Sequence, residues 1–281
     1  ARATGLRRPA KKVQAGDVVS CGENLALEVL EKGEFGQARV MLSWHGDLLY
    51  ILEQHGALPL PPYIKRGERE ADAGGNPGNP HERELLPAQA AILDRDRYQT
   101  VYAKKEKTGS VAAPTAGLHF TPALCESLKE SGRGWFELTL YVGYGTFSPV
   151  RCDDIREHDM HAEYVELCAE TAAAVRQAKE EGRAVIAVGT TSCRALEAIS
   201  MLQGQTGASL QEFSGWVNHF IYPGKPFNII DGMITNFHLP GSSLLMLVSA
   251  LAGREQVLEA YQEAIRQDFR FFSYGDSMLI L

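Results

Sequence analysis

Between Asp231 and Ser243 the chain reads DGMITNFHLPGSS, which sets an Asp, an Asn, a His, two Ser and a Thr between an apolar run and the apolar stretch Leu244 to Leu251. A segment that only joins two elements has little use for so many hydrogen-bonding side chains, whereas one that orients a polar small molecule needs them. Pro240 fixes its own φ and biases Leu239 toward an extended conformation, which holds the preceding side chains of Asn236 and His238 in place. Apolar flanks anchor the loop in the core, the support that chemistry requires.

Three other clusters carry chemistry. Gly189-Thr190-Thr191-Ser192 lies where a strand ends and a helix begins, so its amides and hydroxyls point at one spot of partial positive charge that suits a carboxylate, a ribose or a phosphate. The same residues can equally be nothing more than a helix cap. Arg194 and Glu197, three apart, have the spacing of an intrahelical ion pair, and Cys193 reads as a packed thiol. His158 and His161, with Glu157 and Glu163, share a helical spacing that could serve a divalent metal, but the zinc spacing with a third ligand downstream is absent. A hydrogen-bonding role in a substrate site is therefore assigned to them, and no metal site. Thr115-Ala116-Gly117-Leu118-His119 puts a histidine after a turn whose glycine lets backbone approach a ligand; the competing reading is a core histidine capping the next helix. Phe269, Phe271, Phe272 and Tyr274 read as core, with stacking on a base as the functional alternative.

The elements that must position these residues alternate. Thr121 is a good N-cap with Pro122 at the first helical position and Gly132 past the end, which predicts a helix from Pro122 to Ser131. A buried strand is expected from Trp135 to Val142, a helix from about Ala169 to Glu181, a strand from Arg183 to Val188 leading into the helix of Ala195 and Ile199, and a strand from Phe227 to Met233. Helices over Ser243 to Leu251 and Glu255 to Gln267 complete the series. The alternation implies an α/β fold, a mostly parallel or mixed sheet flanked by helices, with ligands at the carboxyl ends of its strands. Residues 17 to 43 instead carry short runs split by glycine turns, the pattern of a β-meander, followed by a short helix from about Asp47 to His55. Leu58-Pro59-Leu60-Pro61-Pro62 fits neither helix nor central strand, so the domains are placed at 1–60 and 61–281. The Gly-, Pro- and Asn-rich stretch from Arg66 to Arg97 is expected to be a mobile loop.

At 281 residues and 44% hydrophobic content the chain can fill a substantial core. Five scattered cysteines without a CxxC pair or a leader argue for reduced thiols and a soluble, cytoplasmic protein, and no run approaches the ~20 apolar residues of a membrane span. Net charge is −7, against a protein that coats nucleic acid by electrostatics alone. Of 28 Lys and Arg, five (Arg2, Arg7, Arg8, Lys11, Lys12) fall in the first twelve residues, leaving 23 against 35 acidic side chains. That local basic arm suits phosphate contacts or is a solvated terminus.

Ordered blocks carry a resemblance. Tyr98 to Ala103 (YQTVYA) precedes Gly109 to Phe120 (GSVAAPTAGLHF), then Val142 to Phe147 with Pro149-Val150-Arg151, Glu157 to Tyr164 (EHDMHAEY), Val188 to Arg194 (VGTTSCR), Thr235 to Pro240 (TNFHLP) and Phe271 to Asp276 (FFSYGD). One such motif is weak; all of them in order are specific. The chain resembles the S-adenosylmethionine:tRNA ribosyltransferase-isomerase family of queuosine biosynthesis. It departs from that family in opening at Ala1 without the usual N-terminal segment and its Asn/Asp-Thr-Arg motif, in a longer stretch over 66–97, in Tyr144 where a small residue is usual, and in Gly241 where an acidic one is usual.

The resemblance implies that the first domain is part of a small β-barrel. It also implies an enzyme that consumes S-adenosylmethionine as a ribosyl donor, with no cofactor. The acceptor is the aminomethyl group of 7-aminomethyl-7-deazaguanine at the tRNA wobble position, and the products are epoxyqueuosine-tRNA, adenine and methionine. Partners are then the modified tRNA and S-adenosylmethionine, with no membrane and no obligate protein partner. Such chemistry needs a base for the ribose carbon beside the sulfonium, an acid or donor for departing adenine, and a neutral acceptor amine. By position and proton-transfer capacity, His238, His119 and Asp231 are the candidate catalytic residues, with Asp276 a further carboxylate. Thr115, Gly117, His158, His161, Thr190, Thr191, Ser192 and Asn236 are candidate substrate contacts, and Arg151, Arg194 and Arg270 candidates for the methionine carboxylate or tRNA phosphates. Two alternatives stay open: a metal-dependent hydrolase, and a non-catalytic tRNA-binding fragment.

Overall fold

The computed structural model describes residues 1–6, 14–33, 37–56, 58–61, 63–64, 93–143, 154–158, 160–204 and 210–281. Arg151, Tyr144, most of the basic arm and residues 66–92 of the expected mobile loop lie outside the described residues; residues 93–97 form a helical turn. Contacts divide the chain into two units, Ala1–Leu58 and Pro59–Leu281.

In the first unit β1 (Arg2–Leu6), β2 (Val18–Cys21), β3 (Leu25–Lys32) and β4 (Gln37–Trp44) form one antiparallel sheet in the order β1-β4-β3-β2, with a bulge between Val29 and Glu31. Helix α1 (Leu48–His55) starts at Asp47, whose carboxylate accepts from Tyr50 N at 3.1 Å. Among the described residues the sheet does not close into a barrel.

The second unit holds two small sheets. β5 (Thr139–Tyr141), β6 (Glu163–Leu167) and β8 (Phe213–Val217) are antiparallel in the order β5-β6-β8. β7 (Ile186–Val188) runs parallel to β9 (Gly232–Asn236), which pairs antiparallel with β10 (Ser277–Ile280). Helices α2 (Pro122–Glu130), α3 (Ala169–Glu180), α4 (Thr190–Leu202), α5 (Ser243–Ala252) and α6 (Arg254–Arg266) pack around them. The α/β class holds, but the expected single sheet is two, and β7 with β9 is the parallel pair among the described strands.

Three strands begin later than their apolar runs, for a visible reason: ahead of β7, which starts at Ile186 and not Arg183, Val185 N is taken by the Asp231 carboxylate at 2.9 Å. The Glu197 carboxylate, 1% exposed, accepts from Asn228 N, Ile229 N and Ile230 N at 2.8, 2.9 and 2.9 Å, so these amides never enter a ladder and β9 starts at Gly232. Likewise Thr171 Oγ1 donates to Glu137 O at 2.7 Å, and β5 starts at Thr139. The core gathers Val165, Leu167, Ala172, Ile199, Ile229, Met233 and Val248 between sheets and helices. Among the described residues no helix is long and apolar enough to cross a membrane.

Candidate active site

β7 and β9, being parallel, end on the same side, and the polar residues collect there. Gly189 N donates to Ile234 O at 2.8 Å, which ties the β7–α4 turn to β9. Gly189 is the N-cap of α4 at φ +93°, a conformation that only glycine adopts cheaply, and no side chain caps this helix. The hydroxyls of Thr190 and Thr191 are therefore not the helix cap. The first-turn amides of α4 stay open toward a crevice bordered by Thr115, Val142, Thr190, Thr191, Asn236 and His238.

Opposite that helix end stands a hydrogen-bonded chain. Asn236 Nδ2 donates to Thr115 Oγ1 at 2.9 Å, and Asn236 Oδ1 accepts from His119 Nε2 at 2.6 Å. Asn236 is buried, so its amide is locked. Because Nε2 carries the proton given to Asn236, neutral His119 has its Nδ1 lone pair free to take one. Asp276 lies near enough to His119 to feel its charge. Burial pushes the Asp276 carboxyl up, but Arg270 N–H, the Arg270 guanidinium and His119 outweigh it and hold the group below the usual carboxylate range. Asp276 stays ionised beside the histidine; Arg270 donates to it through N at 2.7 Å and Nη2 at 3.3 Å.

His238 is built differently. It is buried, its Nε2 pairs with Thr235 Oγ1 at 2.8 Å, and its backbone N donates to Tyr261 Oη at 2.7 Å. Burial without a counter-charge pushes its pKa down to about 4. A ring so held is neutral near pH 7 and already engaged at Nε2. Tyr261 has no signal in the motifs; it appears in sequence only as one of the buried positions Val257, Tyr261 and Ala264 of an amphipathic helix.

Several expected residues stand elsewhere. Asp231 is at the opposite end of β9, where it pairs with Lys179 at 2.8 Å and accepts from Val185 N at 2.9 Å. Gly117 packs inward: an added Cβ would lie 2.2 Å from Tyr102 Oη and 2.6 Å from Thr100 Cγ2, so its role is close packing beneath the turn of His119. Arg194 pairs with Glu163 inside the core, both about 3% exposed, instead of with Glu197. That buried pair ties Glu163, the first residue of β6, to α4 and engages in the core the guanidinium expected at a ligand. His158 rests on the Phe220 ring at 4.9 Å while His161 is exposed. Among the described residues no three His, Cys, Asp or Glu side chains converge to hold a metal. Ser192 is half-buried on α4's first turn, and Cys193 is fully buried, its thiol pushed up by that burial.

The profile of a family described as queuosine biosynthesis protein matches residues 2–280. The chain therefore belongs to the queuosine biosynthesis family and is one of its enzymes. Its relatives there are S-adenosylmethionine:tRNA ribosyltransferase-isomerases: that of Nitratidesulfovibrio vulgaris (strain DP4) is 53% identical over 280 residues, covering 100% of this chain and 68% of the relative. That of Heliobacterium modesticaldum is 48% identical, covering 98% of this chain and 73% of the relative. A solved structure, the S-adenosylmethionine tRNA ribosyltransferase of Thermotoga maritima, is 31% identical over 98% of this chain and 68% of its own, with a TM-score of 0.49.

Proposed function

We propose that the chain moves the ribosyl moiety of S-adenosylmethionine onto 7-aminomethyl-7-deazaguanine at the wobble position of tRNA, releasing adenine and methionine, and that His119 handles the protons. The observation that carries this reading is the Thr115–Asn236–His119 chain facing the uncapped N-terminus of α4. The sulfonium acidifies the ribose carbon beside it; His119 Nδ1 removes that proton, and Asp276 stabilises the resulting imidazolium. The same proton then serves the departing adenine. Thr190, Thr191 and the amides of α4 hold the methionine carboxylate or the ribose hydroxyls, where the helix end favours negative charge. His238, neutral and fixed by Thr235 and Tyr261, positions the loop that carries Asn236.

The crevice has a volume of about 20 Å³, room for a single water, so substrate entry must widen it. An open cleft of about 890 Å³ lies alongside and shares Pro114 as a border. With aminomethyl-deazaguanine tRNA and S-adenosylmethionine, adenine and methionine should appear together in equal amounts. Formation of S-adenosylhomocysteine instead would mean a methyltransferase and end the proposal.

A further inference from the structure

The outer face of the β5-β6-β8 sheet carries an arrangement that the transfer chemistry does not use. The strand register sets Tyr141 opposite Tyr164 and Tyr164 opposite Trp216, so the three rings share one face. Neighbouring centroids are 5.7 and 5.5 Å apart with planes at 64° and 75°. Tyr164 Oη and Ser214 Oγ hydrogen-bond at 2.8 Å, which fixes the central ring. The alternate residues Glu163, Val165, Leu167 and Val217 are the buried ones, so the aromatic row faces out. Trp216 is 66% exposed at the end of an ordered row whose other two rings are half-buried, so the row offers water one open ring braced by two held ones.

The next row of the same face, Thr139, Glu166 and Ser214, lines the 890 Å³ cleft. The facing strip, 104–110, sets Lys104, Lys105 and Lys107 along the rim. Lys104 pairs with Glu137 at 3.0 Å and Lys107 with Glu166 at 2.5 Å, exposed pairs that are weak and exchange readily for a phosphate, while Lys105 makes no ion pair among the described residues. Gly109 brings this strip onto the first ring: an added Cβ would lie 2.9 Å from Tyr141. Aromatic faces flanked by ammonium groups and hydroxyls suit the stacking of nucleobases and the pairing of phosphates, and the leucines at the cleft floor, Leu138, Leu140 and Leu167, give a base an apolar bed. Glu212, also in the cleft, supplies a carboxylate acceptor for the N–H groups on the edge of a guanine-type base.

We propose that this aromatic row and the lysine-rimmed cleft beside it seat unpaired nucleotides of the RNA substrate, with bases stacked on Trp216 and Tyr164 and phosphates along Lys104, Lys105 and Lys107. The inference rests on the tRNA reading above and assigns the surface that delivers the wobble base to the crevice across Pro114. The test measures binding of a fluorescein-labelled anticodon stem–loop RNA by anisotropy, together with S-adenosylmethionine affinity and melting temperature. Trp216→Ala should raise the RNA Kd about tenfold, since one base–aromatic stack is lost, with S-adenosylmethionine affinity and melting temperature unmoved. Trp216→Phe keeps a ring and should keep most of the affinity. Lys105→Ala should flatten the salt dependence by about one unit of slope. Ile265→Ala, exposed to a similar degree on α6, should bind RNA as the parent does. If the parent protein binds the stem–loop and releases adenine while Trp216→Ala binds equally well, the platform is refuted and the reaction stands. Should the parent protein itself neither bind nor modify the RNA, the functional reading fails with it.

Discussion

His119 and His238 are both imidazoles beside Asn236's strand, yet their surroundings send them to different work. His119 is half-exposed, has one nitrogen anchored by Asn236 and lies within charge range of Asp276; His238 is buried with no counter-charge. Replacing His119 by Ala should lower single-turnover adenine release by ~10²–10⁴, with S-adenosylmethionine affinity changed far less. A rate within a few-fold of the parent's would move proton transfer to another group. For His238 the signature is in stability. Its ring takes a proton near pH 6.5 when unfolded and only near pH 4 when folded, so between those values the unfolded state binds more protons. Stability is then full above about pH 6.5 and falls as pH drops toward 4, by up to about 1.4 kcal/mol per pH unit. Urea midpoints of the parent and His238→Gln at pH 7 and pH 5 measure this: the variant should lose the part of the pH slope due to this ring, and equal slopes would show that the ring is not buried neutral.

At the scale of elements, the site depends on where β9 begins and ends. Glu197 takes the three amides ahead of the strand, and Gly189 and β10 hold its far half, so Thr235 and Asn236 are presented in one register. Glu197→Ala would leave those amides buried and unpaired and should cost roughly 3 kcal/mol or more, with Glu197→Gln, which retains one acceptor, costing less. Chemical denaturation checks the order of the two. Elements set by neighbours in the chain were legible in advance: Thr121 and Pro122 start α2, and Asp47 starts α1, because a cap needs only the next few residues. The Trp135 run extends beyond its strand and the Phe227 run lies ahead of its own, which overlaps it only at Gly232 and Met233, because the partners that delay the two starts, Thr171 and Glu197, are 34 and 31 positions away. The site divides in the same way. Thr115, His119, Thr190, Thr191 and Asn236 stood out by type and meet in space. Asp231, five positions before Asn236, is carried by an extended strand to the opposite end, which proximity in sequence hides.

For the molecule as a whole, the candidate chemistry is assigned to side chains and backbone of one unit, Pro59–Leu281, with S-adenosylmethionine as a consumed reactant. The His158 and His161 pair, the sequence's best claim to a metal, is split between a ring contact and solvent. Adenine release should therefore survive exhaustive dialysis against a chelator, measured on protein whose metal content has been analysed; activity lost and restored by one specific ion would reinstate the hydrolase-like alternative. That the second unit is α/β was readable from alternating elements, whereas its division into a mixed sheet and an antiparallel one was not. Strand direction depends on which strands become neighbours, and the alternation of apolar runs is nearly silent on that.

On the proposed assignment of the site, a crevice of about 20 Å³ makes the resting protein a poor fit for its substrate. A molecule that must first part Pro114 and Thr115 from the start of α4 shows an observed affinity equal to the intrinsic one scaled by the fraction of protein already parted. Tight contacts in the occupied state can then coexist with a modest measured affinity, and adenine, once cleaved, waits on the same parting before it can leave. The tempo of the cycle would on this view be set by how often the turn after β7 separates from the turn of His119, and less by how fast a proton moves between them.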